Sequence, residues 1–332
     1  MAKIAVIGAG SWGTALARAL ARAGHDTRLW AYEPEVVADI RGCRENKAFL
    51  PGVFLPENIQ ASNDLSFALN RAECVLTVMP SHVCRSLYEQ MLPLLSPDMI
   101  FVSATKGIDT ERHMRMSSII HDVLMKRFSP RIVVLSGPSF AREVAVGDPT
   151  ALVAASEDAD AARWAQEAFS DETLRLYTST DVIGVEIGAA VKNVIAIAAG
   201  VIEGLELGHN PMAALITRGL AETTRLAAAL GARRETLAGL AGMGDMVLTC
   251  TGALSRNRSV GIELGRGRRL PEILASMREV AEGVKTAYAT VELAREIGVE
   301  MPIAEQVRRI LDAEIPPRSA IRELMYRSLK NE

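Results

Sequence analysis

The sequence lacks a strong excess of charge of either sign. Its 332 residues carry 37 Lys and Arg against 40 Asp and Glu, a net charge of -3. A surface so nearly balanced gives no electrostatic case for binding nucleic acid or an anionic membrane. The N-terminus shows no basic segment followed by an apolar stretch, and we expect no later run to be long enough to cross a bilayer. These absences predict a cytoplasmic protein with no membrane insertion and no nucleic-acid partner.

Cysteine and histidine are also scarce. The four cysteines, Cys43, Cys74, Cys84 and Cys250, form no CxxC pair, and the five histidines show no metal-ligand spacing. These spacings do not fit a disulfide framework or a zinc site. No arrangement of serine, histidine and aspartate is evident either. We therefore expect reduced, partly buried cysteines and chemistry that uses no metal.

Short apolar runs separated by helical patterns fill the first half of the chain. They are KIAVIG, TRLWA, ECVLTVMP, MIFVSAT, RIVVLSGP and TALVAAS. Strands buried on both faces lose their period-two alternation, so this rhythm predicts a mostly parallel sheet of βαβ units. From Asp181 onward, long segments rich in Ala, Leu and Glu are broken by glycine and proline. We predict a Rossmann-type α/β domain over residues 1–180 and an all-α domain over residues 181–332.

A glycine-rich turn follows the first predicted strand. Gly8, Gly10 and Gly13 fit the GxGxxG pattern, between a strand at Lys3–Ile7 and a helix over about residues 11–23. Gly8 would allow the tight turn, Gly10 would let the backbone approach a pyrophosphate, and Gly13 would let the helix pack on the strand. The alternative is a glycine-rich turn that binds nothing. Because strand, turn and helix agree, the segment predicts a dinucleotide site.

The choice between NAD and NADP stays open at this point. Glu33 lies near the distance at which a carboxylate accepts a hydrogen bond from the ribose 2′-hydroxyl of NAD. Tyr32 could stack on the adenine. Arg28 or Arg41 could instead fold back toward the 2′-phosphate of NADP.

Loops after the predicted strands are the places where ligands collect in an open parallel sheet. Three of them carry polar residues, MPSH, SATKG and SGPSFA. Lys106 follows a buried strand and precedes a glycine, so its ammonium would project into the cleft; the alternative is an ordinary exposed lysine.

Polar residues inside the helical half give the remaining signals. Lys192 stands among Val, Ile, Ala and Gly, so it either extends to solvent or occupies a site with a shifted pKa. Asp245 stands between a glycine and an apolar run and needs a cation or a hydrogen-bond network. Ser255, Arg256 and Asn257 open a helix-like segment, which predicts a phosphate site, with a basic surface turn as the alternative.

These residues belong to longer segments that resemble one family. GAGSWGTALA, ATKGI, GPSFAREVAVGDPTA, EIGAAVKNVIAIAAG, AALITRGLAE, DMVLTCTGALSRNRSVG and EGVKTA are similar, in that order, to motifs of the bacterial NAD(P)-dependent sn-glycerol-3-phosphate dehydrogenases. The resemblance spans nearly the whole chain. It implies a Rossmann-type cofactor domain, a helical substrate domain, a homodimer and the interconversion of dihydroxyacetone phosphate with sn-glycerol 3-phosphate.

The resemblance also implies a role for each matching residue. Lys192 would be the proton acceptor. The substrate would meet Lys106, Gly137, Ser139, Lys192, Asp245, Ser255, Arg256 and Asn257. The cofactor, NAD or NADP, would meet Gly8, Gly10, Ser11, Trp12, Gly13, Tyr32, Glu33, Lys106, Ala141, Arg256, Val280 and Glu282.

Two other functions fit parts of the pattern. A dehydrogenase of the same architecture acting on another small acid shares the glycine turn and a lysine on a helix, but the SRNR segment favours a phosphorylated three-carbon substrate. A non-catalytic dinucleotide sensor needs the glycine turn but neither Lys192 nor Asp245.

Overall fold

The computed structural model describes residues 1–277 and 281–329, which fall into two compact units. The first unit comprises Met1–Lys106 and Met114–Glu186, and the second comprises Gly107–His113 and the chain from Ile187 onward. The boundary predicted at residue 180 stays a prediction.

An eight-stranded sheet forms the centre of the first unit. Its order is β10-β9-β8-β7-β6-β1-β2-β5, and every neighbouring pair is parallel except β8 with β9. The fold predicted from the apolar rhythm is therefore confirmed. The strands are β1 Lys3–Ile7, β2 Asp26–Trp30, β5 Ile59–Ser62, β6 Cys74–Thr77, β7 Ile100–Ser103, β8 Arg131–Ser136, β9 Thr150–Ala155 and β10 Leu174–Ser179, with β3 Glu45–Asn46 and β4 Leu50–Phe54 in a separate antiparallel pair.

Helices of the first unit cover both faces of this sheet. In β1, Ile4 and Val6 pack into one apolar cluster, whereas Ala5 and Ile7 pack into another on the opposite face. This two-sided burial is why the strands have continuous apolar sequences. The helices are α1 Ser11–Arg22, α2 Pro34–Cys43, α3 Leu65–Leu69, α4 Cys84–Met91, α5 Met116–Leu124, α6 Ala141–Val146 and α7 Ala159–Phe169, with 3₁₀ turns at Ser81–Val83 and Leu92–Leu94.

The second half of the chain is helical. A π-helical turn at Leu240–Gly244 leads directly into the helix that carries Asp245. The helices are α8 Val182–Gly204, α9 His209–Ala229, α10 Arg234–Leu237, α11 Asp245–Thr251, α12 Arg256–Gly265, α13 Leu270–Ala275, α14 Glu282–Glu296, α15 Pro302–Leu311 and α16 Pro317–Met325.

The expectation that no apolar run is long enough to cross a bilayer is wrong for α8. Its 23 residues pass that test of length and composition, as does one bent helix pair, Arg234–Thr251 with Arg256–Gly265. Within the fold, however, 83% of the apolar window of α8 is buried. That burial is typical of a core helix, because the protein interior selects the same apolar residues as a membrane does.

Candidate functional site

The glycine turn after β1 has the backbone that its pattern requires. Gly8 adopts a φ of +116°, and a Cβ there would lie 2.5 Å from the carbonyl oxygen of Val78. A Cβ at Gly13 would overlap the carbonyl oxygen of Gly8, whereas the space above Gly10 is open within 4 Å. The turn is therefore closely packed at Gly8 and Gly13 and open at Gly10, the position where a pyrophosphate would approach.

The start of α1 fits an anionic group of a dinucleotide. Gly10 is its N-cap and no side chain caps it, so the first backbone amides, from Ser11 on, stay available for a ligand. The indole Nε1 of Trp12 is buried and has no hydrogen-bond partner among the described residues. A buried donor without a partner is costly, and a bound cofactor is one way to satisfy it.

The end of β2 lies beside β1 in the sheet, at the level of the glycine turn. The backbone amide of Gly8 donates to the carbonyl of Trp30, the last residue of β2. Ala31 is buried, Tyr32 is 79% exposed, and Glu33 is the N-cap residue of α2 without using its side chain as a cap. Tyr32 and Glu33 therefore both lie at the carboxyl end of the strand.

Further predicted residues follow the neighbouring strands at the same edge. Lys106 comes three residues after β7, and Gly137, Ser139 and Ala141 follow β8, with Ala141 opening α6. Gly137 has a φ of +145°. The hydroxyl of Ser139 donates to the carbonyl oxygen of Gly137 at 3.0 Å.

Two hydroxyls at this edge begin the SATKG and SGPSFA segments but are not among the predicted ligands. Ser103 and Ser136 end β7 and β8, and their side-chain oxygens are buried without a hydrogen-bond partner among the described residues. A serine closing an otherwise apolar strand was the available signal.

In the second unit, Lys192 lies in a buried polar cluster. Its side chain is 7% exposed, so the possibility that it extends to solvent is wrong. The ammonium Nζ donates to Asp245 Oδ1 at 2.5 Å and to Thr249 Oγ1 at 2.9 Å. A charged pair this deep is stable only when both partners keep their hydrogen bonds.

Thr249 was not predicted, although the sequence held a signal for it. It follows Asp245 by four residues, so both side chains lie on one face of α11. Its hydroxyl also accepts from Lys192, which makes it part of the same cluster.

A chain of amides adjoins this cluster. Asn257 donates through Nδ2 to Asn193 Oδ1 at 2.9 Å, and its own Oδ1 accepts from the backbone amide of Gly283 at 2.9 Å. Asn193 follows Lys192 on α8, and Gly283 follows Glu282 at the start of α14. Asn257 therefore connects three helices of the second unit.

The predicted phosphate segment begins α12. Ser255 is buried and caps the helix by accepting from the backbone amide of Arg258 at 3.3 Å. Arg256 is the exposed first residue of the helix, and Asn257 is buried behind it. Among the predicted site residues, Val280 lies outside the described residues.

The cysteines are free thiols that differ in burial. All four are free; Cys43 is exposed and the other three are buried. Burial raises the pKa of the Cys250 thiol to about 12. The thiol therefore stays protonated at neutral pH. In the described part of the chain, no group of three or more His, Cys, Asp or Glu side chains could hold a metal ion.

Comparisons with known proteins match the whole length of this chain. The family model for the N-terminus of NAD-dependent glycerol-3-phosphate dehydrogenase matches residues 3–162, and the model for its C-terminus matches residues 181–322. The glycerol-3-phosphate dehydrogenase [NAD(P)+] of Koribacter versatilis is 59% identical over 334 residues, covering 100% of this chain and 99% of that protein. The enzyme of the same name from Geobacter sp. strain M21 is 54% identical, with coverages of 99% and 98%.

Solved structures give the same result. Glycerol-3-phosphate dehydrogenase from Coxiella burnetii has a TM-score of 0.94 at 39% identity, covering 98% of this chain and 99% of that one. The yeast glycerol-3-phosphate dehydrogenase has a TM-score of 0.81 at 25% identity, with coverages of 96% and 98%. On the strength of these matches and of the glycine turn, the chain belongs to the NAD-dependent glycerol-3-phosphate dehydrogenase family and is an NAD(P)-dependent oxidoreductase.

Proposed function

We propose that this chain reversibly reduces dihydroxyacetone phosphate to sn-glycerol 3-phosphate. The observation that carries the proposal is the buried cluster of Lys192, Asp245 and Thr249. A dehydrogenase needs a group that exchanges one proton with the substrate oxygen, and a dinucleotide sensor does not. The cluster therefore favours an enzyme over a sensor.

Lys192 is the proposed proton-transfer residue. In reduction, its ammonium gives a proton to the oxygen on C2 of the substrate; in oxidation, the neutral amine takes that proton back. The carboxylate of Asp245 and the hydroxyl of Thr249 hold Nζ in one place, so the proton donor is oriented before the substrate arrives. The bound nicotinamide would supply hydride from its C4 to C2 of the substrate.

The start of α12 is the proposed phosphate site. Arg256 would pair with the phosphate, together with backbone amides at the helix start. Ser255 and Asn257 are already bonded within the protein, so we assign them to shaping this turn as well as to meeting the substrate. The family resemblance adds Lys106, Gly137 and Ser139 to the substrate ligands.

The proposed cofactor ligands begin with the glycine turn. Its open space at Gly10, the uncapped start of α1 and the unpartnered Trp12 Nε1 fit a dinucleotide. The remaining proposed ligands are Gly8, Ser11, Gly13, Tyr32, Glu33, Lys106, Ala141, Arg256, Val280 and Glu282.

We further propose that the chain acts in the cytoplasm as a homodimer. Its product, sn-glycerol 3-phosphate, would supply glycerophospholipid synthesis. The family resemblance supports the dimer, and sn-glycerol 3-phosphate is the backbone of glycerophospholipids. Sedimentation velocity of the purified chain tests the assembly, and a single species with the mass of one chain would contradict it.

The decisive experiment measures loss of nicotinamide absorbance with dihydroxyacetone phosphate. Wild type should oxidise the reduced cofactor, and Lys192→Ala should lower kcat by about 10² or more, the usual share of general acid–base catalysis. Lys126→Ala removes an exposed lysine of the first unit and serves as the control. Cofactor binding should persist in all three proteins.

Two results would contradict the proposal. Folded wild type that binds cofactor but oxidises none of it would remove the substrate assignment and favour the sensor. Reduction of the oxidised cofactor by a 3-hydroxyacid or by 6-phosphogluconate, with no turnover of dihydroxyacetone phosphate or of sn-glycerol 3-phosphate, would favour the related dehydrogenase. Near-normal turnover by Lys192→Ala would remove only the role of this lysine.

A further inference from the structure

The end of β2 is where the adenosine ribose of a dinucleotide lies in a Rossmann fold. A carboxylate there favours NAD, because it accepts from the 2′-hydroxyl, whereas a nearby arginine accepts the 2′-phosphate of NADP. The sequence offers Glu33 for the first role and Arg28 or Arg41 for the second. The structure separates these alternatives.

Arg28 is bound elsewhere in the first unit. Its Nη1 donates to the carbonyl oxygen of Phe67 at 2.5 Å and to that of Asn70 at 3.3 Å. The guanidinium also stacks on the ring of Phe67, 4.7 Å from the centroid. These acceptors belong to α3 and the residue after it, so Arg28 is held in the middle of β2 against α3.

Arg41 is held away from the end of the strand as well. Its Nε donates to the carbonyl oxygen of Ala61 at 2.9 Å. Ala61 pairs with Leu29, two residues before Ala31. Two residues of strand correspond to about 7 Å, so the bond holds Arg41 short of the ribose position.

The start of α2 offers little to an anion. Pro34, the first helical residue, has no N–H, and the amides of Val36 and Val37 both donate to the carbonyl of Glu33. Among the first four helical residues, only the backbone amide of Glu35 is left to donate a hydrogen bond to a ligand. A 2′-phosphate at this position would therefore find one unbonded amide and two acidic residues, Glu33 and Glu35, at the same helix start, and like charges repel.

We propose that this chain selects NAD(H) over NADP(H) and that Glu33 is the selecting residue. Its carboxylate accepts from the ribose 2′-hydroxyl and repels a 2′-phosphate. Tyr32, 79% exposed beside it, presents its ring to the adenine rather than a positive charge to the phosphate. The inference concerns only the cofactor, so it does not depend on the identity of the substrate.

The test measures dissociation constants of NADH and NADPH by isothermal titration calorimetry on the full chain. Wild type should bind NADH at least about tenfold more tightly than NADPH, the size of one like-charge contact near a surface. Glu33→Gln should reduce that ratio at least severalfold, and Tyr32→Arg should reduce it by adding a cation at the same edge. Glu57→Gln removes an exposed carboxylate from the loop before β5 and should leave the ratio unchanged.

Each outcome of the calorimetry either supports or overturns the proposal. Equal or tighter binding of NADPH by wild type would overturn the proposal. So would a ratio in Glu33→Gln that matches the ratio in Glu57→Gln. If dihydroxyacetone phosphate is not reduced but the binding ratios change as expected, the proposed function fails and this inference stands.

Discussion

At the scale of single residues, the pairing of Lys192 with Asp245 has the largest chemical consequence. Removing one member of a buried ion pair typically destabilises a protein by about 3–5 kcal/mol, whereas an apolar pair of the same shape is often as stable as the ions. Stability alone therefore gives little reason to place this pair in the interior. The need for an oriented proton donor gives a reason to bury this pair.

Arg256 provides a second test at this scale. Arg256→Ala should raise the KM for dihydroxyacetone phosphate by about tenfold or more, because it removes a charge-assisted contact to the phosphate. Steady-state kinetics with the substrate varied will measure it. Arg266→Ala, which removes an exposed arginine just beyond the other end of α12, is the control. An unchanged KM in Arg256→Ala would place the phosphate elsewhere.

At the scale of elements, the contact between α8 and α12 fixes the surroundings of the site. Gly200 and Gly204 of α8 face Gly261 and Gly265 of α12, and a Cβ at Gly200 would lie 2.8 Å from the Cα of Gly261. The backbones therefore touch without side chains between them. Asn257, bonded to Asn193, ties the start of α12 to α8 beside Lys192.

Gly261→Ala should separate these two helices. Its Cβ would overlap the carbonyl oxygen of Ile197, so we expect a loss of about 1–3 kcal/mol in the free energy of unfolding. The shift of α12 should also lower kcat/KM for dihydroxyacetone phosphate by about tenfold or more, since catalysis is sensitive to displacements near 1 Å. Chemical denaturation and steady-state kinetics will measure both effects.

Gly42→Ala is the matched control for that variant. Gly42 also lies in a helix, α2, but a Cβ there meets no atom within 4 Å. This change should stabilise the chain by about 0.5–1 kcal/mol or leave it unaltered. Equal effects of the two substitutions would show that close packing is not what the α8–α12 contact requires.

At the scale of the whole molecule, a buried carboxyl makes stability depend on pH. Glu222 of α9 is 2% exposed and accepts from the amides of Ile303 and Ala304 at the start of α15. Burial raises its pKa to about 7. The folded state holds this proton more tightly than the unfolded chain does. The contribution of Glu222 to the free energy of unfolding is therefore complete below about pH 4.5 and is lost as the pH rises through about 7.

Glu222→Gln should remove that dependence while keeping an acceptor oxygen for α15. Between about pH 5 and 7, the free energy of unfolding of wild type should fall relative to the variant by up to about 1.4 kcal/mol per pH unit. Denaturant titrations across this range will measure it, with Glu235→Gln, at an exposed position, as the control. Parallel curves for wild type and Glu222→Gln would contradict the assigned pKa.

Local patterns in the sequence are enough to predict the fold class and the glycine turn. Apolar runs such as KIAVIG are continuous because the strand is buried on both faces. The GxGxxG pattern is equally local, because the backbone of the turn requires glycine at three positions within six residues. The sequence also identified Lys192 and Asp245 as unusual, since charged residues in apolar segments stand out. What it could not determine was where those side chains find their partners.

The side-chain pairings, in contrast, are a property of the folded chain. Lys192 and Asp245 are 53 residues apart in the chain, and Asn193 and Asn257 are 64 apart, so no local pattern predicts either bond. The same limit explains why Arg28 and Arg41 stayed open as phosphate ligands. Their acceptors come from α3 and β5, which approach β2 only after the sheet and its helices have packed.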